Sequence, residues 1–307
     1  ALTEPQMDVA YEAAFDATLS LTAPTREVNY AVSARRSDAV VRKGRANAIQ
    51  ASEGGLYGRK FITGAPLGYS LAQARTDVAN WRTDRLFYTY PGWQVRIPEI
   101  AFKGTAGGAG FTADGIITVR ADMPLATICS QLPPENNPGQ QTNLIDAFFQ
   151  VESVGVNFGI NEYKALKAAG ICAPRKDRVS GSIYQSGITS DLTSGRVTQL
   201  LRKMADFIQD SQAELLIPYI KMPATQARRD SVRAVLEQFL SGLLSAQNPE
   251  LARIAAYSID DVSGNTPETL ANGIFVLIER VQLNSSMDVI VLQTSIGEGV
   301  ITTLQTA

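Results

Sequence analysis

The sequence contains no histidine among its 307 residues, and this absence removes many kinds of enzyme. Ser-His-Asp triads and Cys-His pairs depend on an imidazole base, and so do zinc sites that combine cysteine with histidine. General acid–base chemistry would have to use carboxylates, lysine or tyrosine instead. No such group stands out at a suitable spacing, so we expect a protein that is not an enzyme.

Cysteine is scarce, with Cys129 and Cys172 as the only two in the chain. Two thiols cannot build a four-thiolate metal site, and these two form no CxxC pair. We expect both to be buried thiols that behave as small hydrophobic groups in a reducing compartment; a single disulfide is the alternative. The sequence therefore implies neither a metal nor a cofactor.

Long apolar runs are missing too, since stretches such as residues 274–278 fall far below the roughly 20 residues that cross a bilayer. The first residues lack the basic start and apolar centre of a secretory signal. The 28 basic and 30 acidic side chains nearly balance, which disfavours a surface for duplex DNA. We therefore expect a soluble protein without membrane or nucleic-acid partners.

Helical and strand patterns alternate in the first 190 residues, as is typical of an α/β layer. Apolar spacing and glycine or proline ends define the elements, and Ser70 and Asn161 are the expected caps of two helices. The predicted helices cover residues 32–52, 71–81, 124–131 and 161–169, and the predicted strands cover residues 61–63, 86–90, 116–119 and 182–184.

The pattern changes after a polar, glycine-containing stretch at residues 186–195. Two apolar stripes predict amphipathic helices that pack together, one over residues 197–216 and ended by Pro218, the other after Thr225. Residues 273–283 and 287–295 predict a β-hairpin, and a β-prone tail follows. We place an α/β domain at residues 1–190, a smaller C-terminal domain at 191–285 and a terminal strand or arm at 286–307. Such a strand needs a partner for its backbone.

Two local motifs suggest ligands, but each has a simpler interpretation. The loop from Gly107 to Gly110 lacks the lysine and hydroxyl residue of a phosphate-binding P-loop, so we expect a flexible loop. Asp260 and Asp261 could serve a hard cation, but they fit no calcium-loop spacing and are better explained as a turn with an Asx cap.

Charged side chains gather at three places. Asp84 and Arg85 are interpreted as an exposed ion pair. The basic run that includes Arg35, Arg36 and Lys43 is either a solvated face or a docking surface for an acidic protein. The same two interpretations hold for the basic run from Arg228 to Arg233.

Three segments together resemble the contractile tail sheath proteins of myophages. They are RTDRLFYTYPG at residues 82–92, LPPENNPG at 132–139, and the two-helix block at 196–244 that leads into the predicted hairpin and terminal strand. The resemblance covers residues 25–307 and implies a subtilisin-like sheath domain that is not a protease, followed by a smaller α+β C-terminal domain with a terminal β-strand arm. Because the first residues are polar and rich in alanine, we expect a sheath domain without the extended N-terminal arm usual in the family.

The resemblance implies a structural subunit that polymerises around a tail tube and contracts to drive the tube through a host envelope. Its partners would be other copies of the chain, the tube protein, and baseplate and neck or terminator proteins, in a virion tail assembled in the host cytoplasm. A tailocin or a secretion-type injection system would use the same fold, and a carboxylate-dependent α/β enzyme is the remaining alternative.

Two sets of residues are assigned to assembly from this resemblance. The terminal strand would join a neighbouring subunit by strand exchange, which requires main-chain hydrogen bonds and alternating side chains. The strand-exchange residues are Val289, Ile290, Val291, Leu292, Thr294, Ile296, Val300 and Ile301. The tube-facing residues are Arg228, Arg229 and Arg233.

Overall fold

In the computed structural model, residues 30–172 contain a parallel sheet of four strands. The structure describes residues 3–20, 28–54, 57–96, 116–139, 151–177, 181–193, 195–244 and 252–285. The helices are α1 (Glu4–Ala17), α2 (Asp38–Glu53), α3 (Leu71–Ala79), α4 (Asp122–Gln131), α5 (Ile160–Ala168), α6 (Gln199–Leu216), α7 (Gln226–Leu244) and α8 (Pro267–Ala271).

The strands form four sheets within the described residues. They are β1 (Tyr30–Val32), β2 (Lys60–Gly64), β3 (Leu86–Thr89), β4 (Trp93–Arg96), β5 (Ile116–Val119), β6 (Val151–Val154), β7 (Ile171–Cys172), β8 (Pro174–Asp177), β9 (Gly181–Tyr184), β10 (Ile254–Asp260) and β11 (Ile278–Leu283). The parallel sheet has the order β1-β2-β3-β7. The antiparallel sheets are β5-β4-β6, β8-β9 and β10-β11.

The two faces of the parallel sheet are apolar because buried side chains alternate along its strands. Phe61, Leu86 and Tyr88 face a core that α1, α2, α3 and α5 cover. Ile62 and Phe87 face a second core, formed with α4 and the β5-β4-β6 sheet. A sheet buried on both faces is the α/β arrangement that the helix–strand alternation predicts, and the structure confirms a mixed α/β fold.

The last part of the chain has its own core between two long helices and the β10-β11 sheet. Met204 and Ile208 of α6 meet Leu240 and Leu243 of α7, and Ile254 of β10 completes the centre. Pro218 lies in the 3₁₀ turn Ile217–Tyr219 that follows α6, so this helix ends where the proline predicts. The packing of the two helices against each other is confirmed.

Several local features of the structure agree with the predictions made from the sequence. Ser70 caps α3 by accepting a hydrogen bond from the Gln73 N–H. Asp260 accepts hydrogen bonds from the N–H groups of Val262 and Ser263, both at 2.9 Å, which confirms the predicted Asx turn. Cys129 and Cys172 are buried free thiols, as expected.

The prediction of one helix over residues 32–52 is wrong at its start. Tyr30–Val32 is strand β1, and the helix begins at Asp38 because the Ser37 hydroxyl accepts a hydrogen bond from the Val40 N–H at 3.3 Å. The α5 helix starts at Ile160 after Gly159, so Asn161 lies inside the first turn and is not the cap. Helix α1 and strand β10 were not predicted.

The predicted hairpin at residues 273–295 is tested in its first half only. Its first half contains strand Ile278–Leu283, which pairs antiparallel with Ile254–Asp260. Its second half, residues 287–295, lies outside the described residues, as do the Gly107 to Gly110 loop and the terminal arm.

Candidate functional site: an ionic junction and an open two-stranded sheet

A buried carboxylate on α6 connects the C-terminal helices to the parallel sheet. Asp206, whose side chain is 1% exposed, lies 2.7 Å from the Lys60 ammonium of β2 and 3.2 Å from the Arg85 guanidinium before β3. Arg202, one turn earlier on α6, contacts the same carboxylate. A single acidic group thus contacts three cations, one on β2, one in the turn before β3 and one on α6 itself.

The contacts continue along α6 in both directions. Arg202 also donates to Asp84 at 2.8 Å, and both carboxylate oxygens of Asp210 accept from the Gly58 N–H at 3.0 Å. A Cβ atom at Gly58 would overlap the Asp206 carboxyl group, so only glycine allows the chain to pass this closely. We call this set, Gly58, Lys60, Asp84, Arg85, Arg202, Asp206 and Asp210, the ionic junction.

Two expectations about charge are corrected by the ionic junction. Asp84 and Arg85 form no exposed pair with each other; they bond to Arg202 and Asp206 of α6. The polar side of α6, opposite its apolar stripe, is buried against the parallel sheet. The helix is therefore enclosed on two sides, which the stripe alone does not predict.

The basic run before and within α2 pairs with acidic groups of the same chain. Arg35 contacts Asp8 of α1, and Lys43 lies 2.7 Å from Asp16 of that helix. Arg36 contacts Asp77 of α3. The acidic surface that this run meets is thus α1 and α3, and the expectation of a solvated face is wrong for these three residues.

Burial and charge act in opposite directions on the groups of the ionic junction. Burial alone would raise the pKa of Asp206, but the charges of Lys60, Arg202 and Arg85 outweigh it and hold the pKa below its usual value. For Asp210 burial is the larger effect, and it raises the pKa even though the Gly58 N–H and the charges of Lys60 and Arg85 act to lower it. Asp206 is therefore the ionised centre of the site at neutral pH.

Lys203 lies beside the ionic junction and is held by backbone carbonyl groups. Its ammonium donates to Asn136 at 2.8 Å and to Pro133 at 3.2 Å, both in the LPPENNPG loop. Burial lowers the pKa of Lys203 from 10.5 to about 8. The loop at residues 132–139 is thus hydrogen-bonded to the start of α6 through one buried lysine.

The lowered pKa makes a prediction for stability between pH 8 and pH 10. The unfolded chain keeps the Lys203 proton up to about pH 10.5, whereas the folded protein releases it near pH 8. The unfolded state therefore binds more protons in this interval. As the pH rises from 8 to 10, the free energy of unfolding of the wild type should increase by about 2 kcal/mol relative to that of Lys203→Met. Urea unfolding of the wild type and of Lys203→Met at pH 8 and at pH 10 measures this increase. The same pH dependence in both proteins would show that Lys203 has an ordinary pKa.

The β10-β11 sheet presents one packed face and one open face. Tyr257, Ile259 and Val281 pack towards α7, while Ser258 and Arg280, which are partners in the register, are exposed. Among the described residues, each strand pairs with the other strand alone. Such a sheet can accept a further strand along an edge.

The structure describes only one of the two sets of predicted assembly residues. The eight strand-exchange residues between 289 and 301 are outside the described residues. Arg228 and Arg229 lie at the start of α7 and donate to the carbonyl groups of Pro223 at 3.1 Å and Ala224 at 2.7 Å. Arg233 bonds to Glu237 and Asp261, both at 2.9 Å. The ionic junction itself was not predicted, although charged residues repeat every three to four positions along α6.

Within the described residues, no helix has the length and apolar character of a membrane span. The same residues hold no cluster of three or more acidic or cysteine side chains arranged to bind a metal ion.

The sequence matches no protein-family model and no curated protein. The fold, however, matches several solved protein structures. The helical sheath of the anti-feeding prophage in its contracted state superposes with a TM-score of 0.71 at 13% identity, over 96% of this chain and 76% of the other. The PVC sheath complex of an extracellular contractile injection system, also contracted, gives 0.69 at 12% identity, over 95% and 80%.

A crystal structure of a sheath tail protein from Listeria innocua matches with a TM-score of 0.62 at 10% identity. That match covers 99% of this chain but only 60% of the Listeria protein, so the chain spans less than two thirds of that relative's length. At such low identity the matches establish the fold. This chain has the fold of the contractile tail sheath proteins.

Proposed function

We propose that the chain is a structural subunit of a contractile sheath that polymerises around a tube and shortens to drive the tube through a cell envelope. The observation that carries this proposal is the match to a helical sheath over 96% of the chain. The ionic junction supports the proposal, because a subunit that transmits force needs a firm connection between its parallel sheet and its C-terminal helices.

Strand exchange would link the subunits through the β10-β11 sheet. In this proposal, the segment from Val289 to Ile301 of one copy adds to an open edge of β10-β11 in another. Flexible connections of this kind let subunits slide and rotate without separating. No nucleotide is needed, because an extended assembly that is kinetically trapped can contract downhill into one that buries more surface between subunits.

The finer organisation follows the family resemblance. We propose a subtilisin-like sheath domain at residues 1–190, a C-terminal domain at 191–285 that lies nearer the tube, and the arm at 286–307. Arg228, Arg229 and Arg233 form the tube-facing surface. Their side chains are partly exposed at the start of α7, which supports this assignment.

The machine would be a phage tail or a related injection particle. Two of the matched structures belong to the anti-feeding prophage and to an extracellular contractile injection system. These matches favour an injection particle over a phage tail. The proposed partners are other copies of the chain, a tube protein, baseplate proteins and neck proteins, with assembly in the host cytoplasm.

Negative-stain electron microscopy of the purified chain tests the proposal. We expect tubules or stacked rings to form without any nucleotide or metal, because the contacts between copies would be contained in the subunit. Particles that stay monomeric at all concentrations, with or without tube protein, would contradict a sheath role.

Charge reversal of Arg228, Arg229 and Arg233 to glutamate separates tube binding from assembly in the same experiment. We expect the variant to coat tubes less completely while tubules without a tube still form. Reversal of Arg42, an exposed basic residue on α2, is the matched control and should leave tube coating unchanged.

A further inference from the structure

A cavity lined by charges of both signs lies beside the ionic junction. It has a volume of about 380 Å³ and sits at the amino-terminal edge of the parallel sheet, next to Asn29 before β1 and Tyr57 before β2. We call it the junction cavity. Positions three and four residues apart share one face of a helix, and such a face of α6 forms one wall. The residues of this wall are Lys203, Phe207, Asp210, Ser211 and Glu214.

The rest of the lining is largely apolar and aromatic. Leu132 and Pro134 come from the loop at residues 132–139, and Tyr30 comes from β1. Together with Phe207 of α6 they provide flat surfaces for an apolar body. An apolar lining that carries a small number of well-placed polar groups is the usual form of a small-molecule site.

The buried Lys203 ammonium has a hydrogen-bond donor to spare. Its side chain is 3% exposed, and it uses two of its three N–H donors on the carbonyl groups of Pro133 and Asn136. Among the residues that the structure describes, no carboxylate forms an ion pair with it. Glu135 of the same loop lies 2.6 Å from Arg253 instead. Lys203 is thus a buried cation without a counter-charge, which accounts for its lowered pKa.

The other charged or titratable groups near Lys203 do not supply that counter-charge. Lys60, the second ammonium in the cavity lining, lies 2.7 Å from Asp206 and donates to the Gly58 carbonyl oxygen at 2.7 Å. Burial raises the pKa of the Cys129 thiol to about 12, so this thiol is neutral at pH 7. The cavity therefore offers Lys203 as the cation that a ligand carboxylate can reach.

Carboxylates stand further along the same wall. Both oxygens of Asp210 accept from one donor, the Gly58 N–H, whereas a carboxylate has room for about four hydrogen bonds. Glu214 follows one turn later and is exposed. With a rise of 1.5 Å per residue, Asp210 lies about 10 Å from Lys203 along the helix axis. The wall thus presents a buried cation at one end and two carboxylates towards the other.

We propose that the junction cavity binds a small zwitterion of the amino acid type, with a carboxylate and an ammonium at opposite ends of a short apolar body. The carboxylate accepts the spare N–H of Lys203, and the ammonium lies at Asp210 and Glu214. The body packs against Phe207 and Pro134. A simple anion would meet the two carboxylates, and a simple cation would meet the buried lysine, so the charges fit a ligand with both groups. Such a ligand contacts α6 and the loop at residues 132–139 together.

Isothermal titration calorimetry of the full chain at pH 7 tests this site with three probes. Para-aminomethylbenzoate carries both charged groups on a rigid ring, whereas benzoate and benzylamine each keep one of them. We expect saturable binding of the first probe with one site per chain. Each single-ended probe should bind weaker by about tenfold or more, because it loses one charge-assisted hydrogen bond. No saturable binding of para-aminomethylbenzoate would overturn the inference, and so would equal affinity for benzoate, which would indicate a simple anion site.

Two variants and a matched control locate the site. Lys203→Met should abolish binding of para-aminomethylbenzoate, and Asp210→Asn should weaken it without weakening benzoate. Lys164→Met removes an exposed lysine of α5 outside the cavity and should bind as the wild type does. Circular dichroism verifies that each variant folds, and the comparison of probes on the wild type decides the matter if Lys203→Met does not. Unchanged binding by folded Lys203→Met would contradict the site. None of these readouts depends on whether the chain assembles into a sheath.

Discussion

Replacement of Asp206 by asparagine should lower the free energy of unfolding by about 3–5 kcal/mol. Asp206 is the shared acceptor of Lys60, Arg85 and Arg202, and its side chain is 1% exposed. The neutral amide leaves the buried cations of Lys60 and Arg85 without compensation, while Arg202 keeps its bond to Asp84. Removal of one partner from a buried ion pair is far more costly than the pair's net contribution. Urea unfolding followed by circular dichroism at pH 7 measures the loss.

Glu237→Gln is the matched control for this prediction. Glu237 also accepts from an arginine four residues earlier on a helix, Arg233, but their side chains are 44% and 41% exposed. An exposed pair of this kind contributes about 0–1 kcal/mol, so the control should unfold almost as the wild type does. Similar small losses in both variants would mean that the ionic junction does not hold α6 to the parallel sheet.

Deletion of residues 286–307 should abolish assembly and leave folded monomers. The described members of the three apolar cores all precede residue 286, so the deletion removes none of them. The loss should affect the link between subunits, because the deleted segment carries the β-prone residues from Val289 to Ile301. Sedimentation velocity measures the oligomer, and circular dichroism measures the fold.

A single substitution sharpens the deletion experiment. Val291→Pro removes a backbone donor and blocks regular strand pairing, whereas Val291→Thr keeps a β-branched side chain and the donor. We expect the proline variant to behave like the deletion and the threonine variant to assemble. Tubules of normal length from the proline variant would contradict strand exchange through this segment.

The elements that could be predicted from the sequence are those with a strong local signal. The β2 and β3 strands are short apolar runs that end near glycine or proline, and Ser70 marks the start of α3. The apolar stripes of α6 and α7 predict both helices and their mutual packing. Each of these signals lies within one segment of about 20 residues.

The features that could not be predicted depend on partners far apart in the chain. Arg85 and Asp206 are 121 positions apart, so nothing near either residue indicates the buried pair. Arg35 looks like part of a solvated basic run until α1 brings Asp8 to it. A cavity lined by Leu67 and Met123 likewise forms only when the two segments that carry these residues fold together.

A cryo-electron microscopy map of the assembled chain tests the central proposal most directly. We predict a lattice of identical copies in which residues 286–307 of one copy run as an added strand along the β10-β11 sheet of another. A map in which that segment completes the sheet of its own chain, with no lattice of copies around it, would contradict the proposal.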